Sequence, residues 1–253
     1  MELTVMTYLI ICPMLFLAGL VDAIGGGGGL ISLPAYLIAG FPPHTAIATN
    51  KMSSACGTAL ATGRFIKAGL VNLKLAVPAV IMAVLGSSIG ANLSLLVDEK
   101  ILMKVLLIML PISAFAVMNR RLFRDDGAEE VKLDRRTVLT AMCAAFVVGC
   151  YDGFYGPGTG TFLLIAFTAF ARLGVRTANA QAKVINLTTN LTSLVIFILN
   201  GQVLFQVGII AALCNMAGGY IGAGMVMKNG AKIARPSIML VLVLLVVKVV
   251  TGI

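Results

Sequence analysis

The chain has 253 residues, of which 59% are apolar and only 11% are charged, whereas soluble domains carry roughly 25% charged residues. This composition excludes a water-soluble domain and predicts a polytopic membrane protein, in which apolar runs of about 20 residues cross the hydrocarbon core as helices. The net charge of +9 does not indicate nucleic-acid binding, because the Lys and Arg lie mostly between apolar runs, where they bias loops toward the cytoplasm.

Hydropathy predicts ten apolar segments, five in each half of the chain. They lie at 3–24, 29–41, 45–66, 74–97 and 100–118, and at 137–153, 159–171, 177–199, 204–227 and 233–252. The longest hydrophilic stretch separates the two sets. We therefore predict an N-terminal transmembrane repeat over 1–118, a cytoplasmic linker over 119–136 and a C-terminal transmembrane repeat over 137–253.

The two halves repeat the same features. A Gly-rich break with an Asp at Gly19–Gly29 recurs at Gly149–Gly160, and from Thr45 to Ile101 the first half aligns with the second without a gap. This alignment places Lys183 on Lys51, a match that apolar composition alone would not produce. An internal repeat with broken helices and intramembrane charges is typical of secondary transporters.

Each half contains one undersized segment, 29–41 or 159–171. At about 1.5 Å per residue these cover about 20 Å, short of a roughly 30 Å hydrocarbon core, so they are either half-helices completed by extended chain or re-entrant. If they cross, each half has five spans and the halves are inverted, which also places most Lys and Arg on the side of the linker. We therefore predict an all-α polytopic fold of two five-segment inverted-topology repeats, each with a short Gly-broken helix. Both termini are then expected outside a cell (inner or plasma) membrane.

The Gly-rich breaks predict an anion site. A helix that begins inside the membrane leaves about four backbone N–H groups without intrahelical partners, and the macrodipole adds about +0.5 charge there. Glycine allows a ligand to approach this backbone closely, although small residues also serve helix packing. The predicted substrate-binding residues are Gly25, Gly26, Gly27, Gly28, Gly29, Asn50, Lys51, Ser54, Gly156, Gly158, Thr159, Thr161, Lys183 and Asn186.

Two lysines and two aspartates lie within or at the ends of apolar segments. A cation at the membrane centre costs at least about 2.5–3.5 kcal/mol, so Lys51 and Lys183 should face the interior and have partners. Two partners stay open: a substrate anion, or a structural ion pair with Asp22 or Asp152. These aspartates could instead carry a coupled proton or cap the N–H groups of the broken helices.

Other motifs predict no chemistry. The G-x-S-x-G match at Gly86–Gly90 has no Ser in its copy at Gly218–Gly222, so both indicate helix packing through small residues. The chain has no Walker A motif, and its one histidine, His44, cannot build a His-rich metal site. We expect neither an enzyme nor a cofactor.

At these motifs the chain resembles the sulfite exporter TauE/SafE family of membrane transporters. The resemblance is carried by Asp22 with Gly25–Gly29, by Thr45–Ser54 with its Asn-Lys pair, and by a weaker second copy around Asp152 and Lys183. It implies transport of a small anion such as sulfite, thiosulfate, a sulfonate or a related organic acid. The second copy departs from the first, since Ala182 stands opposite Asn50, and the two halves of a central site are therefore not expected to be equivalent.

The leading hypothesis is a secondary transporter that moves a sulfur oxyanion or organosulfonate by alternating access at a midplane site between the repeats. The alternative is a proton- or cation-coupled organic acid transporter, or a cation carrier that uses Asp22 and Asp152. The expected partners are the small anion, the lipid bilayer and a coupling ion, either proton or sodium, but no nucleic acid. The Gly-rich faces would allow a homodimer without requiring one.

Overall fold

The computed structural model describes residues 4–105, 108 and 134–229. The linker 119–136 and the predicted segments at 100–118 and 233–252 lie wholly or largely outside these residues. The helices are α1 (Val5–Gly25), α2 (Gly29–Ile38), α3 (Pro43–Lys67), α4 (Leu73–Leu96), α5 (Arg135–Phe154), α6 (Thr159–Ala169), α7 (Val175–Leu199) and α8 (Phe205–Asn229). No strand occurs in the described residues, so the prediction of an all-α protein is confirmed, with bounds a few residues from those expected.

Local sequence signals set the helix starts. The hydroxyl of Thr7 accepts a hydrogen bond from the backbone N–H of Thr4 at 3.4 Å, which forms a capping box before α1. The side chain of Asn72 accepts from two backbone N–H groups in the first turn of α4. The carboxylate of Asp134 accepts from the backbone N–H of Thr137 at the start of α5. These contacts satisfy part of the N–H groups that each helix leaves unpaired.

Among the described residues, α1, α4, α5, α7 and most of α8 are long and apolar enough to cross a membrane, while α2 and α6 are short apolar helices. The prediction of a multi-pass membrane protein is confirmed. The helix α3 is long enough to cross but is not among these candidates. Its polar residues explain this, because they lower the mean hydropathy of the helix. Thr49, Asn50, Lys51 and Ser53 are all buried inside the protein, away from lipid.

The two halves pack across one another. The first helix of each half lies along the fourth helix of the other, α1 against α8 and α4 against α5. The helices α3 and α7 contact each other, and each also packs on the fourth helix of the opposite half. The short helices α2 and α6 each lie against the first and third helices of their own half. The interior between α3 and α7 is thus bounded by both repeats.

Glycines make the close contacts between halves possible. A methyl group on Gly90 of α4 would overlap the backbone oxygen of Cys150 in α5, and one on Gly218 of α8 would overlap that of Phe16 in α1. Both glycines belong to the small-xxx-small pairs of the sequence, and such pairs let helix backbones approach closely in membranes. The G-x-S-x-G match is therefore a packing face.

Candidate functional site

The two Gly-rich breaks meet inside the fold. Gly26 ends α1 in a left-handed conformation, with a φ of 81°, which glycine adopts without the cost of a Cβ. A Cβ on Gly26 would lie 2.5 Å from the Cα of Gly160, the second residue of α6. The Thr161 hydroxyl donates to the backbone oxygens of Gly25 at 3.0 Å and Gly26 at 2.9 Å. The beginning of α6 is thereby attached to the chain just before α2.

Two ion pairs connect the halves in a crossed arrangement. The ammonium Nζ of Lys51 lies 2.8 Å from Oδ2 of Asp152, and that of Lys183 lies 2.7 Å from Oδ2 of Asp22. The side chains of Lys51, Lys183 and Asp152 are 1%, 0% and 2% exposed, whereas that of Asp22 is 18% exposed. Each lysine is thus paired with a carboxylate of the other half, and the four charges sum to zero.

Each carboxylate also accepts a hydrogen bond from one hydroxyl group. The Thr159 hydroxyl donates to Oδ1 of Asp152 at 2.7 Å, and the Thr58 hydroxyl donates to Oδ2 of Asp22 at 3.4 Å. Within the described residues, neither carboxylate has a backbone N–H donor from α2 or α6. The caps of these helices are Gly28 and Gly158, which have no side chain to accept a hydrogen bond. The aspartates therefore neutralise lysines rather than cap the short helices.

A polar pocket lies between the two breaks and the helices α3 and α7. The cavity within it is about 20 Å³, roughly the room that one water molecule needs, so an oxyanion fits only when the walls move apart. Both repeats contribute to its wall. The lining residues are Asp22, Gly26, Gly29, Asn50, Lys51, Ser54, Asp152, Gly156, Gly158, Thr159, Gly160, Asn186 and Asn190.

Most of the predicted substrate-binding residues line this pocket, but five do not. These five are Gly25, Gly27, Gly28, Thr161 and Lys183. The Thr161 hydroxyl is occupied by the backbone oxygens before α2, and Lys183 is buried in its ion pair with Asp22. Gly28 packs against Ala18 of α1, where a Cβ would lie 2.5 Å from the backbone oxygen. Thr161, Lys183 and Gly28 therefore support the walls of the pocket instead of facing it.

The structure also adds residues that were outside the predicted set. Gly160 and Asn190 line the pocket, and Thr58 contacts Asp22. Thr58 and Asn190 occupy the same position in the two repeats, one turn beyond the polar residues already predicted on α3 and α7. Spacing of four residues along one helix face would have found both. The contact of Gly160 with Gly26 has no sequence signal, since it depends on how the halves pack.

The groups that line the pocket are of the kinds that suit an anion. The N-termini of α2 and α6 both border it, and such ends present N–H donors and positive partial charge. Lys51 adds an ammonium group, and the amide side chains of α3 and α7 add further donors. The two carboxylates are each engaged by a lysine. No group of three or more His, Cys, Asp or Glu that could hold a metal ion occurs in the described part of the chain.

The fold and the pocket define a helical multi-pass membrane protein with a polar site between two halves, which is the architecture of a transporter. The family model of the sulfite exporter TauE/SafE proteins matches residues 11–249. The chain belongs to this family and is a membrane transporter.

Relatives cover nearly the whole chain. A probable membrane transporter protein of Haemophilus influenzae is 35% identical over 93% of this chain and 91% of its own length. The probable membrane transporter protein ORF9 of a Sinorhizobium species is 33% identical over 92% of this chain and 88% of its own length. The probable membrane transporter protein YfcA of Escherichia coli K12 is 34% identical, covering 89% and 82% respectively. No solved structure matches the chain.

Proposed function

We propose that this protein is a secondary transporter of a small anion, a sulfur oxyanion or an organosulfonate, which binds in the pocket between the two Gly-rich breaks. The observation that carries the proposal is that both short helices begin at this one pocket, next to Lys51. A sulfite, thiosulfate or sulfonate group presents several oxygens that accept hydrogen bonds. It therefore complements the N–H donors of this wall.

Electrostatics favours an anion, although the side-chain charges cancel. Because Lys51 and Lys183 are each paired with a carboxylate, the remaining potential comes from the two helix ends, each equivalent to about +0.5 charge. Interactions of this kind are stronger in a poorly polarisable interior than in water. An anion bound here would also share the Lys51 ammonium with Asp152.

The way that the halves meet supports alternating access at this site. The pocket is lined by both repeats, and each first helix packs on the fourth helix of the other half. Relative rocking of two repeats around a fixed central site is the common mechanism of transporters built in this way. We place the linker 119–136 in the cytoplasm, both termini outside and the protein in the cell membrane, because this orientation puts most Lys and Arg on the cytoplasmic side.

Ligand-induced stabilisation tests the proposal. Purified protein is heated with sulfite, thiosulfate, sulfate, taurine, sulfoacetate, acetate or chloride, and a ligand that binds only the folded state raises Tm. The comparison variant is Lys51→Met with Asp152→Asn, which removes the pocket lysine without leaving a buried charge unpaired. We expect at least one sulfur anion to raise the Tm of the wild type and not that of the double variant. If no anion shifts the wild type but sodium or pH does, Asp22 and Asp152 become the site of a cation or proton-coupled carrier.

A further inference from the structure

Two asparagines of α7 form a side-chain pair at the pocket. Asn186 and Asn190 lie one helical turn apart, both line the pocket, and they are only 5% and 4% exposed. The side-chain Nδ2 of Asn190 donates to the backbone oxygen of Asn186 at 2.7 Å and to its side-chain Oδ1 at 3.0 Å. A backbone oxygen can only accept a hydrogen bond, so the Asn190 atom at this position has to be the nitrogen.

The orientation of the Asn186 amide follows from this contact. The atom of Asn186 that faces the Asn190 nitrogen must be an acceptor, which makes it the amide oxygen. Its own nitrogen, Nδ2, then has no hydrogen-bond partner among the described residues and borders the pocket with the rest of the side chain. An amide nitrogen without a protein partner at the edge of a pocket is a donor available to a ligand.

The first repeat presents a similar arrangement on α3. The Ser54 hydroxyl donates to Oδ1 of Asn50 at 3.4 Å, again across one turn, and both residues line the pocket. In this orientation, Nδ2 of Asn50 likewise has no hydrogen-bond partner in the described residues. The repeat alignment places Asn186 opposite Ser54 rather than Asn50, so the two amides are offset by one turn along their helices.

We propose that Asn190 is a positioning residue that holds the Asn186 amide with its N–H₂ group toward the ligand, so that this position in the pocket favours anion oxygens that carry no proton. This inference rests on the proposed function and specifies its ligand class. An Asn186 amide that could rotate would offer its oxygen as readily as its nitrogen and would accept a ligand O–H. With the oxygen held by Asn190, a ligand O–H placed at Asn186 meets a donor where it needs an acceptor, and a buried donor pair of this kind is penalised.

Sulfate and phosphate provide the matched probes, because they are tetrahedral and of similar size, but at neutral pH only phosphate carries a proton. Their Kd values are measured by calorimetry on wild type, Asn190→Thr and Asn190→Val. Thr and Val have the same shape, and only the Thr hydroxyl can donate to Oδ1 of Asn186. Asn200→Val is the control, because Asn200 also donates to the backbone oxygen four residues earlier on α7, but at an exposed position away from the pocket.

We expect the wild type, Asn190→Thr and Asn200→Val to bind sulfate at least about tenfold more tightly than phosphate, while Asn190→Val loses most of this preference. Equal preference in Asn190→Val and wild type overturns the inference. An equal loss of the sulfate preference in Asn190→Thr and Asn190→Val also overturns it, because changed packing alone would then explain the loss. If sulfate does not bind the wild type but another sulfur anion does, the inference fails and the proposed function stands. If no anion binds, the proposed function itself fails.

Discussion

At the scale of single residues, the crossed ion pairs decide how the buried lysines are tolerated. Lys51 and Asp152 are both almost fully buried and belong to different repeats, as do Lys183 and Asp22. Desolvation makes each isolated charge costly, and its partner offsets much of that cost. The pairs therefore stabilise one specific arrangement of the two halves.

Removing one member of a pair should expose this dependence. We expect Lys51→Met to lower stability by about 3–5 kcal/mol, because Asp152 is left buried without a counter-charge. Asp152→Asn in the same chain should restore most of the loss, which is measured as Tm in detergent. The matched control combines Lys51→Met with Asp22→Asn. Restoration by Asp22→Asn, or none by Asp152→Asn, would contradict the crossed pairing.

The four residues of these ion pairs could be predicted from the sequence, but not which lysine pairs with which aspartate. Polar positions inside apolar segments identify Lys51, Lys183, Asp22 and Asp152 without a structure. Which carboxylate meets which lysine depends on how α3 and α7 lie against the ends of α1 and α5. No local pattern encodes that choice, because each lysine is compatible with either aspartate. The same limit applies to Asn190, whose role depends on the direction of its neighbour's amide.

At the scale of helices, the contact between the two Gly-rich breaks holds the pocket. Gly26 has a positive φ and touches Gly160. We expect Gly26→Ala to lower stability by more than about 2 kcal/mol, because it adds left-handed strain of roughly 1–2 kcal/mol and a backbone overlap. Gly27→Ala is the control, since its Cβ would meet only side-chain atoms at 3.7 and 3.8 Å. Thermal unfolding of both variants measures the difference, and equal stability would show that the breaks do not pack as described.

The helix-packing glycines give a second comparison. A Cβ on Gly90 would overlap the Cys150 backbone, whereas one on Gly63 in α3 has nothing within 4 Å. We expect Gly90→Ala to force α4 and α5 apart and lower Tm. Gly63→Ala should leave Tm unchanged or raise it, because Ala stabilises a helix interior by about 1 kcal/mol relative to Gly. Tolerance of Gly90→Ala at wild-type Tm would exclude close packing of these two helices.

The short helices show what hydropathy can and cannot predict about elements. Both were expected from their length and the preceding glycines, and α2 and α6 begin at Gly29 and Thr159. Their ends fall a few residues before the expected ones, because apolar residues continue past the last helical turn. Both helices begin at one pocket because of how the two halves pack. The alignment of the repeats cannot predict this packing.

At the scale of the whole molecule, the orientation in the membrane remains a prediction that labelling can test. Lys74 and Lys100 are exposed at opposite ends of the region that contains α4. In a chain with its five cysteines replaced by serine, Lys74→Cys should react with an impermeant maleimide only after the cells are opened. Lys100→Cys should react in intact cells. The reverse pattern, or labelling of both from one side, would contradict the proposed orientation.

The central claim, that the pocket between the Gly-rich breaks binds the transported anion, is tested most directly by flux into proteoliposomes. The sulfur anion that stabilises the wild type is used, with wild type, Asn186→Leu and Asn200→Leu reconstituted at equal density. We expect saturable uptake by the wild type and Asn200→Leu, and at least a tenfold loss in Asn186→Leu, because the pocket loses an amide donor at similar side-chain volume. Uptake by folded Asn186→Leu at the wild-type rate would place the transported anion elsewhere in the protein.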